Sequence, residues 1–77
     1  MKLDQIKLPL SCVAVAVDTV HNIVLGVRNG PYRPYITWKF DPEFTLDKEL
    51  SCYWGHYLDN IIEAAEDFEE RCGRLPN

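Results

Sequence analysis

The sequence predicts a small α+β fold: an antiparallel sheet of about four strands with one C-terminal amphipathic helix packed on one face (β-β-β-β-α). Two observations predict it. Four segments before residue 58 show the two-residue alternation of strands, and the segment after them shows the three- and four-residue spacing of an amphipathic helix. A chain of 77 residues carries one core. We therefore expect residues 1–77 to form a single domain.

The predicted strands are four alternating runs: residues 11–17, 22–28, 35–41 and 50–57. β-Branched residues are dense in the first two runs, which favours strand over helix because such side chains lose rotamer freedom in a helix. In the first run, Val13, Val15 and Val17 are expected on one face. The third run has the clearest alternation, with one apolar set: Ile36, Trp38 and Phe40. Residues 2–10 could form an edge strand or an arm.

The predicted helix spans about residues 59–72. Asn60, followed by Glu63, matches a capping box, and Gly73 is placed to end the helix in a left-handed conformation. The helix is expected to face the sheet through one apolar stripe: Leu58, Ile61, Ile62, Ala65, Phe68 and Cys72.

One helix covers only one face of a four-stranded sheet, so the other face needs a second cover. Strict alternation in the fourth strand places Tyr53 and Tyr57 on one face, with Tyr35 as their expected neighbour. Tyrosines often anchor protein interfaces because they bury a large area and keep a polar group. Two interpretations stay open: this face binds a partner or a second copy, or residues 1–10 and loop 41–49 fold over it.

Charge is unevenly distributed along the chain. Residues 1–40 carry five basic and two acidic residues, whereas residues 41–77 carry ten acidic and three basic residues, and the net charge is −4. The acidic stripe expected on the wet face of the helix would suit a basic protein surface: Glu63, Glu66, Asp67 and Glu70. An acidic chain argues against nucleic-acid binding, although the segment 28–35 mixes arginines with tyrosines.

Catalytic and metal sites are not expected. Cys52 and His56 are four strand residues apart, about 13 Å, so they cannot share a metal ion or form a nucleophile pair. The three cysteines form no C-x-x-C, and Cys12 and Cys72 fit positions for small apolar side chains. No glycine-rich phosphate loop occurs, so we expect no cofactor and no enzymatic activity.

Two stretches, Tyr35-Ile-Thr-Trp-Lys-Phe-Asp-Pro-Glu43 and Tyr53-Trp-Gly-His-Tyr57, precede the acidic helix. In this respect the chain resembles small proteins of bacterial phages and mobile elements, among them anti-CRISPR inhibitors of host defence. A second resemblance, carried by Gly55 and Asn60-Ile-Ile-Glu-Ala-Ala-Glu66, is to HicB-type antitoxins, from which the chain departs because no strand follows the helix.

The first resemblance implies a non-catalytic inhibitor that occupies the surface of a cytosolic, nucleic-acid-handling partner. The contact would be the acidic helix face, the tyrosine face of the sheet, or both. The second implies an antitoxin or a nucleic-acid-associated regulator. No run approaches 18 apolar residues, and charges interrupt the first seven residues, so we expect a cytoplasmic protein without a membrane span.

Overall fold

The predicted fold class is confirmed. The computed structural model describes residues 3–30, 32–42 and 48–73. A four-stranded antiparallel sheet in the order β1-β2-β3-β4 is followed by one helix, α1. The elements are β1 (Val13–Asp18), β2 (Ile23–Val27), β3 (Tyr35–Phe40), β4 (Cys52–Leu58) and α1 (Ile61–Arg71). Because each strand pairs with the next in sequence, β1 and β4 form the two edges.

Helix α1 begins and ends at the predicted signals. The Asn60 side chain accepts a hydrogen bond from the Glu63 backbone N–H at 2.9 Å, and Gly73 has a φ of +73°. The side of α1 that faces the sheet differs from the prediction. The buried residues are Ala64 and Phe68 of α1 and the following cap residue, Cys72, whereas Ile61, Ile62 and Ala65 are exposed. The helix is rotated in this way because two of its polar side chains also bind the sheet, as described below.

Two separate apolar clusters lie on the two faces of the sheet. On the helix face, Ile23 and Leu25 pack with the buried side of α1. The arm face is covered by an N-terminal arm, residues 3–12. On this face Ile6, Leu8 and Cys12 of the arm pack on the sheet together with Leu50. The strand residues of the same cluster are Val24, Ile36, Trp38 and Phe40.

Of the segment left open in the sequence analysis, the described residues 3–10 form an arm and not an edge strand. Residues Leu3–Gln5 and Pro9–Ser11 form 3-10 turns, and the Leu50 N–H donates to the Lys7 carbonyl at 2.7 Å. The arm covers the second sheet face, which was one of the two interpretations drawn from the sequence. The part of loop 41–49 between 43 and 47 lies outside the described residues.

Both edge strands contain an irregularity that the alternation does not predict. In β1 the register shifts between Ala14 and Ala16. The expectation that Val13, Val15 and Val17 share a face is therefore wrong, because an extra residue reverses the side on which the following side chains lie. Ala14 packs on the arm face, and Ala16 packs on the helix face.

Candidate functional site

The second irregularity separates the two tyrosines that were expected to form one surface. Tyr53 pairs with Lys39, and Tyr57 pairs with Ile36, with a register shift between them. Directly paired residues lie on the same face, so Tyr53 lies on the helix face and Tyr57 on the arm face. The expectation of a shared face is wrong because Trp54, with a φ of +54°, interrupts the alternation.

The same irregularity changes the relation of Cys52 to His56. Cys52 pairs with Phe40 and His56 with Thr37, so their side chains lie on opposite faces of the sheet, whereas an uninterrupted strand would place them on one face. Burial, with smaller effects from Glu49 and Cys12, raises the pKa of the Cys52 thiol to about 12. A thiol with so high a pKa is a poor nucleophile at neutral pH.

Aromatic and basic side chains alternate along the β4 edge and the neighbouring 28–33 segment. Trp54 is 69 % exposed, and Tyr53 and Tyr57 are 42 % and 45 % exposed. The Lys39 Nζ lies 5.7 Å from the Trp54 ring centroid, and the Arg28 Cζ lies 5.5 Å from that of Tyr57. We call this set the β4 surface; its members are Arg28, Tyr32, Arg33, Lys39, Tyr53, Trp54 and Tyr57.

The remaining predicted aromatic, Tyr35, contributes little to the β4 surface. It is half-buried and packs against the apolar cluster beneath α1. Its expected position beside both tyrosines is therefore wrong: it lies on the helix face, paired with Leu58.

The outward side of α1 forms a different surface, which is acidic and partly apolar. Glu63, Glu66 and Glu70 are exposed, as predicted, and Ile62 beside them is 68 % exposed. These four positions fall on the side of the helix opposite the buried Ala64 and Phe68. We call them the helix outer surface.

Asp67 does not belong to that acidic surface. It was expected on the wet face, but its side chain points to the sheet, where its carboxylate accepts a hydrogen bond from the Thr37 hydroxyl and lies 3.0 Å from His56 Nδ1. Arg71 Nη1 donates to the Thr37 carbonyl and hydroxyl oxygens at 3.0 and 3.1 Å. Thr37 is fully buried, so these bonds satisfy a polar group inside the helix–sheet interface.

The Asp67 carboxylate determines which His56 ring nitrogen donates to it. An ionised carboxylate only accepts hydrogen bonds, so Nδ1 carries the hydrogen that is donated to Asp67, and Nε2 takes no part in this bond. The His56 side chain is 51 % exposed. The Asp67 contact thus orients an exposed imidazole, while it also holds α1 on the sheet.

A second buried carboxylate, which the sequence analysis did not identify, lies beside the C-terminal end of α1. Asp18 is buried and accepts hydrogen bonds from the backbone N–H groups of Val20 and His21 at 2.7 and 3.2 Å. The Cys72 thiol donates to the same carboxylate and, against the opposing effect of burial, holds the pKa of Asp18 well below its ordinary value with the help of the backbone N–H groups. An aspartate at a strand end before a turn is the local signal for such a site.

A cavity of about 390 Å³ lies between the arm and β1, with a mainly apolar lining that includes Leu3, Leu8 and Val13 and also Lys7. Among the residues that the structure describes, no group of three or more His, Cys, Asp or Glu side chains is placed to hold a metal ion.

Within residues 3–30, 32–42 and 48–73, no helix has the length and apolar character needed to cross a membrane.

Comparison of the chain with protein-family models, with curated proteins and with solved structures finds no match.

Proposed function

We propose that this chain is a non-catalytic protein-binding inhibitor whose helix outer surface occupies a basic surface of a protein partner. The observation that carries the proposal is the position of Ile62, 68 % exposed among Glu63, Glu66 and Glu70 on the side of α1 that faces away from the sheet. A large aliphatic side chain flanked by carboxylates suits a groove that is apolar at its centre and basic at its rim.

The fold itself does not need the residues of the helix outer surface. Ala64, Phe68 and Cys72 already anchor α1 in the apolar cluster beneath it, and Asp67 anchors it to Thr37. Substitutions on the outer side should therefore change binding without unfolding the domain.

The non-catalytic part of the proposal is supported by how the reactive groups are used. The Cys52 thiol has a raised pKa, Cys72 donates to Asp18, and the carboxylates of Asp18 and Asp67 both bind groups that join secondary-structure elements. Cys72, Asp18 and Asp67 therefore hold α1 on the sheet, and Cys52 packs against the arm-face cluster.

Site-specific photo-crosslinking in a bacterial lysate tests the proposal. A crosslinking amino acid at position 62 should trap a protein, whereas the same group at Val20, 82 % exposed on the β1–β2 turn, should not. Replacing Glu63, Glu66 and Glu70 by Gln should abolish the adduct and leave the melting temperature unchanged. The trapped partner, once purified, should lose activity when the chain is added.

Equal labelling from positions 62 and 20 would contradict the proposed surface. An adduct that survives the triple Gln substitution would show that the partner is not recognised through its basic charge. A trapped partner that keeps full activity in the complex would leave a binding protein that is not an inhibitor.

A further inference from the structure

We propose that the β4 surface binds single-stranded nucleic acid, a function separate from protein binding by the helix outer surface. The net charge of the chain argued against such a ligand, but the structure segregates the charges. The exposed acidic residues of α1 lie on its outer side, whereas the cations of the β4 surface lie beside exposed rings. Local charge, rather than the total, determines what a surface attracts.

The rings are available to a ligand. Trp54 and Tyr32 are each 69 % exposed, and Tyr53 meets Trp54 edge to face with centroids 5.1 Å apart. An edge-to-face partner leaves the broad faces of a ring uncovered on at least one side. Unpaired bases stack on such faces, and stacking tolerates any base sequence.

Three of the four rings of the β4 surface have a cation beside them. Lys39 lies over Trp54, Arg28 lies over Tyr57, and Arg33 lies 5.4 Å from the Tyr32 centroid. Among the described residues, no carboxylate lies within 4.0 Å of a side-chain nitrogen of Arg28 or Lys39. Arg33 Nε lies 3.8 Å from Asp59, so its charge is partly compensated. Lys39, paired with Tyr53 on the helix face, and Arg28, beside Tyr57 on the arm face, can therefore hold phosphates of a strand that follows the β4 edge, while the exposed rings along that edge hold bases.

The length of the β4 surface favours a short single-stranded nucleic acid. Residues 53–57 of β4 span about 13 Å, which suits about four nucleotides, the lower end of the site sizes of single domains. A duplex hides the faces of its bases, so it would engage the cations alone. An acidic peptide would also engage the cations without using the exposed rings. The combination of rings and cations therefore favours single-stranded nucleic acid.

Fluorescence anisotropy with a fluorescein-labelled eight-nucleotide oligo-dT at low salt tests the proposal. Binding is expected below about 100 µM, and it should weaken as salt rises. Trp54→Ala should weaken binding about tenfold, because base stacking on that ring is lost, and Trp54→Phe should restore most of it. Lys39→Gln should reduce the salt dependence of the affinity, with a slope smaller by about 0.7 for one phosphate contact. Val20→Ala, on the far edge of the sheet, is the matched control.

Several results would overturn the inference. They are no binding up to about 100 µM, unchanged binding by folded Trp54→Ala, and equal competition by an oligo-glutamate peptide of the same charge. A dimer that buries Trp54 in sedimentation experiments would identify the surface as a contact between copies. The triple Gln variant of α1 should bind the oligonucleotide at least as well as the original chain, which separates failure of this inference from failure of the proposed protein binding.

Discussion

Replacing Gly26 by Ala is expected to destabilise the domain because the N-terminal arm leaves no room for a methyl group. A Cβ at this position would lie 2.8 Å from Leu8 Cδ1, 3.2 Å from Cys12 Cβ and 3.3 Å from Trp38 Cζ3. Ordinary carbon contacts lie at about 3.5–4.0 Å, so Leu8 would have to retreat by roughly 0.7 Å while two other neighbours also crowd the methyl group. Overpacking of this kind costs about 1–3 kcal/mol.

The backbone effect of the substitution has the opposite sign. Alanine restricts the unfolded chain and contributes about 0.5 kcal/mol of stability where the backbone conformation is ordinary. The net loss in the free energy of unfolding is therefore about 0.5–2.5 kcal/mol, which lowers the melting temperature of a domain of this size by about 2–20 °C. Urea unfolding followed by circular dichroism measures the loss.

A second substitution identifies the cause. Leu8→Val removes the Cδ1 atom that makes the shortest contact, at its own cost of about 1 kcal/mol. In that background Gly26→Ala should cost about 1 kcal/mol less than in the original chain, a coupling measured by a double-mutant cycle. If Gly26→Ala is neutral, or equally costly in both backgrounds, the arm does not pack against β2 as described.

Four further predictions concern the polar clusters, the strained residue in β4 and the half-buried Cys52 thiol. Because the folded-state pKa of Asp18 is depressed, its contribution to stability is fully present above about pH 5 and is lost progressively as the pH falls below about 4 toward the much lower folded-state pKa; the urea midpoint of Asp18→Asn should depend less on pH in that acidic window, and an unchanged pH dependence would contradict this. Asp67→Asn should lower the free energy of unfolding by about 1–3 kcal/mol, whereas the exposed control Glu70→Gln should change it by less than about 0.5 kcal/mol; equal effects would refute the structural role of Asp67. The free energy of unfolding of Trp54→Gly should exceed that of Trp54→Ala by about 1 kcal/mol, because φ is +54° at this position; the reverse order in urea unfolding would show that the backbone there is unstrained. Cys52, with its pKa of about 12, should react slowly with iodoacetamide at pH 8 and rapidly in urea, and fast labelling of the folded chain would contradict the raised pKa.

Local signals in the sequence were sufficient for the fold class. Asn60 and Gly73 mark the ends of α1 by their own hydrogen bonding and backbone freedom, so each is legible without knowing the rest of the chain. The alternation in β3 is also local: Ile36, Trp38 and Phe40 all lie in the arm-face cluster, as expected. Each of these features depends on residues within one element.

The faces of the edge strands could not be predicted because the deciding feature is an insertion. Val15 and Trp54 each lie at a register shift. The sequences around them fit a two-residue alternation of apolar side chains equally well with or without an extra residue. Aromatic residues stand on both sides of Gly55, so hydrophobicity does not reveal where the alternation reverses. A one-residue shift in register placed Tyr57 on the opposite face of the sheet from Tyr53, so the two tyrosines do not form the single surface that was predicted.

The inward position of Asp67 depends on a partner thirty residues away. Helical periodicity placed Asp67 with the neighbouring acidic residues, because a carboxylate next to Glu66 and Glu70 ordinarily faces water. Thr37 supplies a buried hydroxyl at the point where α1 crosses β3, and Asp67 satisfies it. Long-range hydrogen bonding of this kind leaves no trace in the spacing of residues along the helix.

The arm also has a consequence for the order in which the chain folds. The sheet is a meander of sequence neighbours, so its hairpins can form early from nearby residues. The Lys7–Leu50 contact instead closes a much longer segment of chain and can form only after β4 has taken its place. Until then the apolar side chains of the arm face are open to water, and the arm of another molecule could take the empty place. The interval between sheet formation and arm docking is therefore when newly made chains are most prone to exchange arms, and faster docking would protect them.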